Sequence, residues 1–312
     1  MEAVPPASQP HRSVLYQETI EYLAPKSSGR YLDCTAGAGV HAYGILEASS
    51  PCGHLIAIDL DPTAIQMATE RLRPFGQRAI VVHDSYLNAA RILQRKGWDK
   101  VDGILLDLGV SSMQLDQVER GFSFRTDAPL DMRFDPTTGE TAADLVNRLS
   151  EKELADVIWK YGEERLSRRI ARRIIQNRPV LTTTQLADAV RSAIGAARGR
   201  IDPATRTFQA IRIAVNDELH TIEEAIPGLI ELLNPKGRLV IISFHSLEDR
   251  LVKLAFRRES VDCLCPPEQI ICTCGHKASG KILTPRPVVA GEEEVNENLR
   301  ARSAKLRAIE KK

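Results

Sequence analysis

From Tyr31 onward the chain alternates short apolar runs with helix-periodic ones. Tyr31–Cys34, His54–Asp59 (HLIAID), Arg78–His83 (RAIVVH) and Val101–Leu108 (VDGILLDL) read as strands. The segments between them read as helices: one to about Ala48, one over Pro62–Leu72 with proline in its first turn, and one ending near Gly97. Apolar strands alternating with helices predict a parallel sheet covered on both faces. The rhythm breaks between Asp116 and Val215, where helical patterns dominate, as in Ser150–Tyr161 and Arg165–Asn177. Thr182–Thr184 before Gln185 reads as a further helix start. A helix at Asn216–Leu233 and a strand at Arg238–Phe244 (RLVIISF) then restore the pattern. The expected fold class is therefore α/β, a doubly wound domain of residues 1–115 and 216–312 carrying an inserted, mainly helical domain over 116–215. Residues 1–11 are Pro-rich and read as mobile, and the charged tail, Val289–Lys312, reads as ending in a short helix.

Composition narrows the class. The chain has 312 residues, 43% of them hydrophobic and 27% charged, with a formal net charge of +1. That is enough chain for full cores, and any nucleic-acid surface must be local rather than global. No apolar stretch approaches the roughly 20 residues of a membrane span, and the N-terminal segment has neither signal-peptide nor transit-peptide character. A cytoplasmic enzyme is expected, with no membrane partner, its six cysteines serving as thiols or metal ligands.

The first strand runs into YLDCTAGAGVHA, which satisfies the Gly-x-Gly-x-x-Gly/Ala pattern through Gly37, Gly39 and Ala42. Ligands of such sheets sit at the carboxyl ends of the strands, where Asp33, Asp59, Asp84 and Asp107 fall. Asp59 stands where an acid binds ribose hydroxyls, which suits a dinucleotide and S-adenosylmethionine alike. Asp33 separates the two, because a carboxylate beside the turn repels a pyrophosphate and favours the cationic methionine portion of S-adenosylmethionine. A turn that only packs, without a ligand, is the third reading. Asp107 faces the same crevice, or serves as a helix cap. Gln114 lies within reach of that ligand, and Tyr86 is placed to stack on an adenine or to pack.

The residues Asp107–Asp135 (DLGVSSMQLDQVERGFSFRTDAPLDMRFD) closely resemble the bacterial 16S rRNA (cytosine(1402)-N4) methyltransferase family. So do HRSVLYQETIEYL, YGEERLSRRIARRII, PATRTFQAIRIAVNDEL, ISFHSLEDRLVK and RARSAKLR, which together span almost the whole chain. The resemblance implies a Rossmann-like methyltransferase domain with an inserted substrate-recognition domain. It implies methyl transfer from S-adenosylmethionine to the exocyclic amine of cytidine 1402 of 16S rRNA, near the decoding site of the small ribosomal subunit. It places cofactor contacts on Gly39, Val40, His41, Asp59, Tyr86, Asp107 and Gln114. Two positions depart from the family pattern. Val40 stands where a second glycine is usual, and Leu299 where the tail usually has proline between Asn298 and Arg300.

A cytosine amine is a poor nucleophile and needs an acceptor that draws it out of conjugation. Asp107 is the natural candidate at the end of the fourth strand. His245, after the fifth, is a second catalytic candidate or else a hydrogen-bonded structural histidine. The target base must leave its stack, which calls for a substrate-holding module. Residues 151–215 carry 13 Lys/Arg against 7 Asp/Glu, a local +6. Arg165, Arg168, Arg169 and Arg172 fall along one helical stripe suited to phosphates, or form a solvated face paired with Glu163 and Glu164. Arg206 and Arg212 are further RNA-binding candidates. Finally, Cys263, Cys265, Cys272 and Cys274, with His276 nearby, offer soft ligands for a structural zinc, although the spacing is not the usual C-x2-C, and a metal-free loop or, less readily, an iron–sulfur site stays open.

Overall fold

The computed structural model describes residues 13–195, 202–269 and 271–312; the Pro-rich start, residues 1–11, lies outside them. The strands are β1 (Arg30–Asp33), β2 (His54–Asp59), β3 (Ala79–His83), β4 (Val101–Asp107), β5 (Leu233–Ser243), β6 (Gly280–Ile282) and β7 (Lys305–Lys311). They form one sheet in the order β3-β2-β1-β4-β5-β7-β6. The first five run parallel, and β7 is antiparallel to both β5 and β6. This is the Rossmann-like arrangement that the alternating runs predict.

Helices α1 (Tyr16–Leu23), α2 (Val40–Ala48), α3 (Pro62–Leu72) and α4 (Ala89–Arg95) precede or link the first strands. After β4 come α5 (Ser112–Asp116), α6 (Ala142–Arg148), α7 (Glu151–Gly162), α8 (Ser167–Gln176), α9 (Thr183–Ile194) and α10 (Ala204–Asn216). Then α11 (Glu218–Glu231) leads into β5, α12 (Ser246–Glu259) follows it, and α13 (Glu292–Glu297) precedes β7.

The period-two alternation of each strand sorts its side chains between two cores. Leu32, Ile56, Ile58, Ile104 and Leu106 face α4, α11 and α12. Tyr31, Leu55, Ala57, Leu105 and Val240 face α1, α2 and α3. A third core, from Phe122 through Ile158 and Ile174 to Ile211, is built by α6–α10 and the loop before them. Among the described residues five starts use reciprocal caps, Ser111–Gln114, Thr141–Asp144, Ser150–Glu153, Thr182–Gln185 and His245–Glu248, which satisfy two otherwise orphaned backbone donors each.

The tail differs from expectation. It holds α13 and a 3-10 turn at Leu299–Ser303, yet it ends in strand β7, not in a helix. Leu306, Arg307, Ala308 and Ile309 are buried between β5 and β6, so sheet pairing overrides the local charge pattern. The predicted helix at Asn216–Leu233 is shorter, because Asp217 adopts a left-handed conformation (φ 48°) and separates α10 from α11.

Candidate active site

The strand order reverses between β1 and β4, which both pair along β1. Above their carboxyl ends opens a cavity of about 820 Å³, ample for a nucleoside-sized ligand. The β1–α2 turn, Asp59, Tyr86, the Asp107–Gln114 segment, Phe134, Glu218, Phe244 and Glu248 are all on its wall.

Asp59 fastens the glycine turn. Its Oδ2 accepts from the Gly37 N–H at 2.8 Å and its Oδ1 from the Asp61 N–H at 2.9 Å. Burial nevertheless pushes its carboxyl above the usual range. Gly37 and Val40 line the cavity, so the substituted position Val40 is part of the wall. Gly39 is not on the wall. It takes a left-handed φ of 76°, and a Cβ there would come within 3.1 Å of the Ala68 backbone, so its part is to let α2 pack on α3. Asp33 lies beneath the turn rather than on the wall. It is fully buried, and Oδ1 accepts from the Thr35 N–H at 3.1 Å.

Three polar groups converge there without protein hydrogen-bond partners: Asp33 Oδ2, both ring nitrogens of His41, and Asp107 Oδ1. His41 Nε2 stands 3.5 Å from Asp107 Oδ2, and the ring stacks on Tyr16. The Asp107 N–H donates to Thr35 Oγ1 at 2.6 Å, which pins the end of β4 to the turn. Buried polar atoms are rarely left unsatisfied, so this cluster suits a ligand that brings its own donors and positive charge.

Burial raises the Asp33 carboxyl from 3.8 to about 7, against the lowering effect of His41. Between about pH 4 and about pH 7 the native protein therefore binds more protons than the unfolded chain. The contribution of this residue to stability falls as pH rises through that window and levels off above it. Urea unfolding of the ligand-free protein at pH values from about 5 to 8 is expected to show this decline, and Asp33→Asn to flatten it. An unchanged slope in the variant would place the titration elsewhere.

Gln114 lines the cavity, but its amide is already committed. Its Oε1 accepts from the Ser111 N–H and its Nε2 donates to Asp61 Oδ2 at 2.9 Å. Asp61, completely buried, also accepts from Arg120 Nη1 at 2.6 Å. Arg120 Nη2 donates to the carbonyls of Arg133 and Phe134. This network joins the end of β2 to the loop that carries Phe134. Sequence reading missed it, although Asp61 directly before Pro62 was a visible helix cap.

The far wall corrects two assignments. His245 is not on the cavity wall. It caps α12, with Nδ1 accepting from the Glu248 N–H and Nε2 3.2 Å from Glu248 Oε1. Its Nδ1 is thus engaged as a cap, Nε2 and Glu248 Oε1 are buried without a hydrogen-bond partner, and Glu248 rather than His245 lines the crevice. Burial pushes the Glu248 carboxyl up, but the bond and charge of His245, with Arg212 beyond, hold it below the usual range. Arg212 is likewise no surface phosphate contact. Its Nε and Nη2 both donate to Glu218, at 2.7 and 2.9 Å, in a buried pair. Glu218, His245 and Glu248 gather closely enough for a cation, but Arg212 already neutralises Glu218. Asn216 holds the Phe134 loop, accepting from the Phe134 N–H and donating to the Met132 carbonyl, both at 2.7 Å. Tyr86 is on the wall, its phenol pushed above the usual range by burial, so it offers a neutral aromatic face. Asn298 and Arg300 reach the cavity from the tail. Leu299 between them is exposed, and Asn298 Oδ1 caps the turn that proline was expected to set.

Away from the cavity, Arg168, Arg169, Arg172 and Arg173 form the outer face of α8, opposite buried Ile170, Ala171 and Ile174. Arg165 precedes the helix and is exposed. Glu163 and Glu164 pair elsewhere, with Arg250 and Arg206, whereas Arg172 meets Glu151. Among the described residues no helix is long and apolar enough to cross a membrane.

The sequence profile of the MraW methylase family matches residues 8–312. A ribosomal RNA small subunit methyltransferase H of Geobacter sulfurreducens is 56% identical, over 96% of this chain and 98% of its own. One from Dehalococcoides mccartyi is 52% identical over 97% and 86%. One from Thermomicrobium roseum is 50% identical over 98% and 95%.

Proposed function

The chain belongs to the MraW methylase family, and on that footing we propose that it transfers a methyl group from S-adenosylmethionine to the N4 amine of cytidine 1402 in 16S rRNA of the small ribosomal subunit. The observation that carries this reading is Asp107, a carboxylate at the end of β4 whose Oδ1 is buried in the cavity with no protein partner. Gly37, Val40, His41, Asp59, Tyr86 and Asp107 are the wall residues that would hold the cofactor. The partnerless atoms of His41 and Asp107, both wall residues, fit its ammonium and hydroxyl donors, with the Asp33 carboxyl beneath them. When bound, it supplies an electrophilic methyl group.

The chain's own residues do the rest. Asp107 accepts a hydrogen bond from the amine and turns its lone pair out of conjugation toward the reacting carbon. Little base strength is needed, because the amine becomes cationic on methylation and sheds a proton readily. Phe134 and Phe244 supply aromatic surface for an extruded base, and Glu218 and Glu248 supply acceptors. The exposed arginines of α8, with Arg165 and Arg206, suit phosphate contacts outside the cavity.

The test is methyl transfer from labelled cofactor to small ribosomal subunits lacking the modification, with the product mapped by mass spectrometry. Label on N4 of cytidine 1402 is expected. Label on another nucleotide, or none despite cofactor binding, overturns the target. In the same assay Arg168→Glu with Arg169→Glu should raise KM for subunits about tenfold or more and flatten its salt dependence. KM for the cofactor should not change.

A further inference from the structure

Between α12 and β6 the chain makes an excursion with almost no apolar burial among its described residues, 260–269 and 271–279: Leu264 is 40% and Ile271 76% exposed. A stretch this long without regular structure needs a cross-link to hold one shape. Its four cysteines converge. Cys263 Sγ lies 3.4 Å from Cys272 Sγ and 3.8 Å from Cys274 Sγ, and the last two are 3.6 Å apart. Cys265 completes a group whose four sulfurs all lie within 4.8 Å of one another. Four sulfurs at the zinc–thiolate bond length of about 2.3 Å, arranged tetrahedrally, are separated by about 3.8 Å. The edges among Cys263, Cys272 and Cys274, 3.4, 3.6 and 3.8 Å, lie at or just below that spacing.

A second feature points the same way. Backbone N–H groups aim at three of the sulfurs: Leu264 at Cys274 (3.3 Å), Cys265 at Cys263 (3.4 Å) and Thr273 at Cys265 (3.4 Å). Such donors stabilise charged sulfur. His276 is turned away, its Nε2 2.8 Å from the Arg258 carbonyl at the end of α12.

We propose that Cys263, Cys265, Cys272 and Cys274 hold a structural zinc ion as an all-thiolate tetrahedral site, without His276. None of the four lines the cavity, so the ion fastens the excursion to α12 and β6 and takes no part in methyl transfer. Soft sulfur ligands in a closed tetrahedral set select zinc over harder cations.

Elemental analysis of the full-length protein, purified without chelators, is expected to find one zinc ion per chain. Cys263→Ser with Cys272→Ser should lose it. Exchange of the wild-type ion for cobalt(II) should give the intense visible bands of tetrahedral thiolate coordination, a readout that does not depend on how the variant folds. Chelation should speed amide exchange over residues 261–279 and leave β5 and β7 protected. Iron with acid-labile sulfide, metal retained by the double variant, octahedral cobalt bands, or a metal-free chain that takes up no added zinc would each overturn the proposal.

Discussion

Asp107→Ala is expected to lower kcat by about two to three orders of magnitude, roughly 3–4 kcal/mol in the barrier. The carboxylate sits where β4 ends, on the cavity wall, held by the bond from its own N–H to Thr35, with Oδ1 buried and without a protein partner. If its task is to accept a hydrogen bond from the amine, a carbonyl can partly replace it, and Asp107→Asn should recover about tenfold or more of the loss. If its task is to neutralise the charge of the cofactor, the amide fails like alanine, and the defect appears in cofactor affinity rather than in kcat. Single-turnover rates at saturating cofactor, beside equilibrium binding of the cofactor, separate the two. A kcat within a few-fold of wild type in Asp107→Ala would remove the residue from the chemistry.

The second large effect concerns stability. Arg120→Ala should destabilise the fold by about 3–5 kcal/mol, because it leaves the buried Asp61 charge with only the Gln114 amide and its own helix cap. It also frees the Arg133 and Phe134 carbonyls, so the Phe134 wall should loosen. Adding Asp61→Asn to that background should recover part of the loss, since no unpaired charge then remains. Urea midpoints of the two single variants and the double measure this coupling directly. Strict additivity would mean that the pair acts through solvent rather than through contact.

Much of the fold was legible because its signals are local. The limits of β2 and α3 agree with their apolar run and their Asp-Pro start. The β1–α2 turn and the acids at the strand ends were legible for the same reason. What escaped depends on partners distant in the chain. KLRAIEK reads as a charged tail until β5 and β6 flank it, with Arg307 reaching Asp249. Arg212 looks like any basic helix residue until Glu218 folds back on it across the Asp217 turn. His245 follows a strand as catalytic histidines do, but only the start of α12 shows that its Nδ1 is engaged as a cap and that the ring lies off the cavity wall. Within the site, glycine spacing does not separate Gly37, on the wall, from Gly39, which serves packing.

β5 is an interior strand only because β7 covers it. Remove that cover, and the backbone from Arg238 to Ser243 becomes an open border beside Leu239, Val240, Ile241 and Ile242. Borders of that kind, apolar and unpaired, recruit strands from other molecules. β5 is complete at Ser243 and its cover begins only at Lys305, so in a growing chain this border is expected to stay open until the last residues are made. The yield of soluble protein is therefore expected to depend on how fast synthesis delivers the later residues, a demand of biogenesis distinct from anything the finished cavity requires.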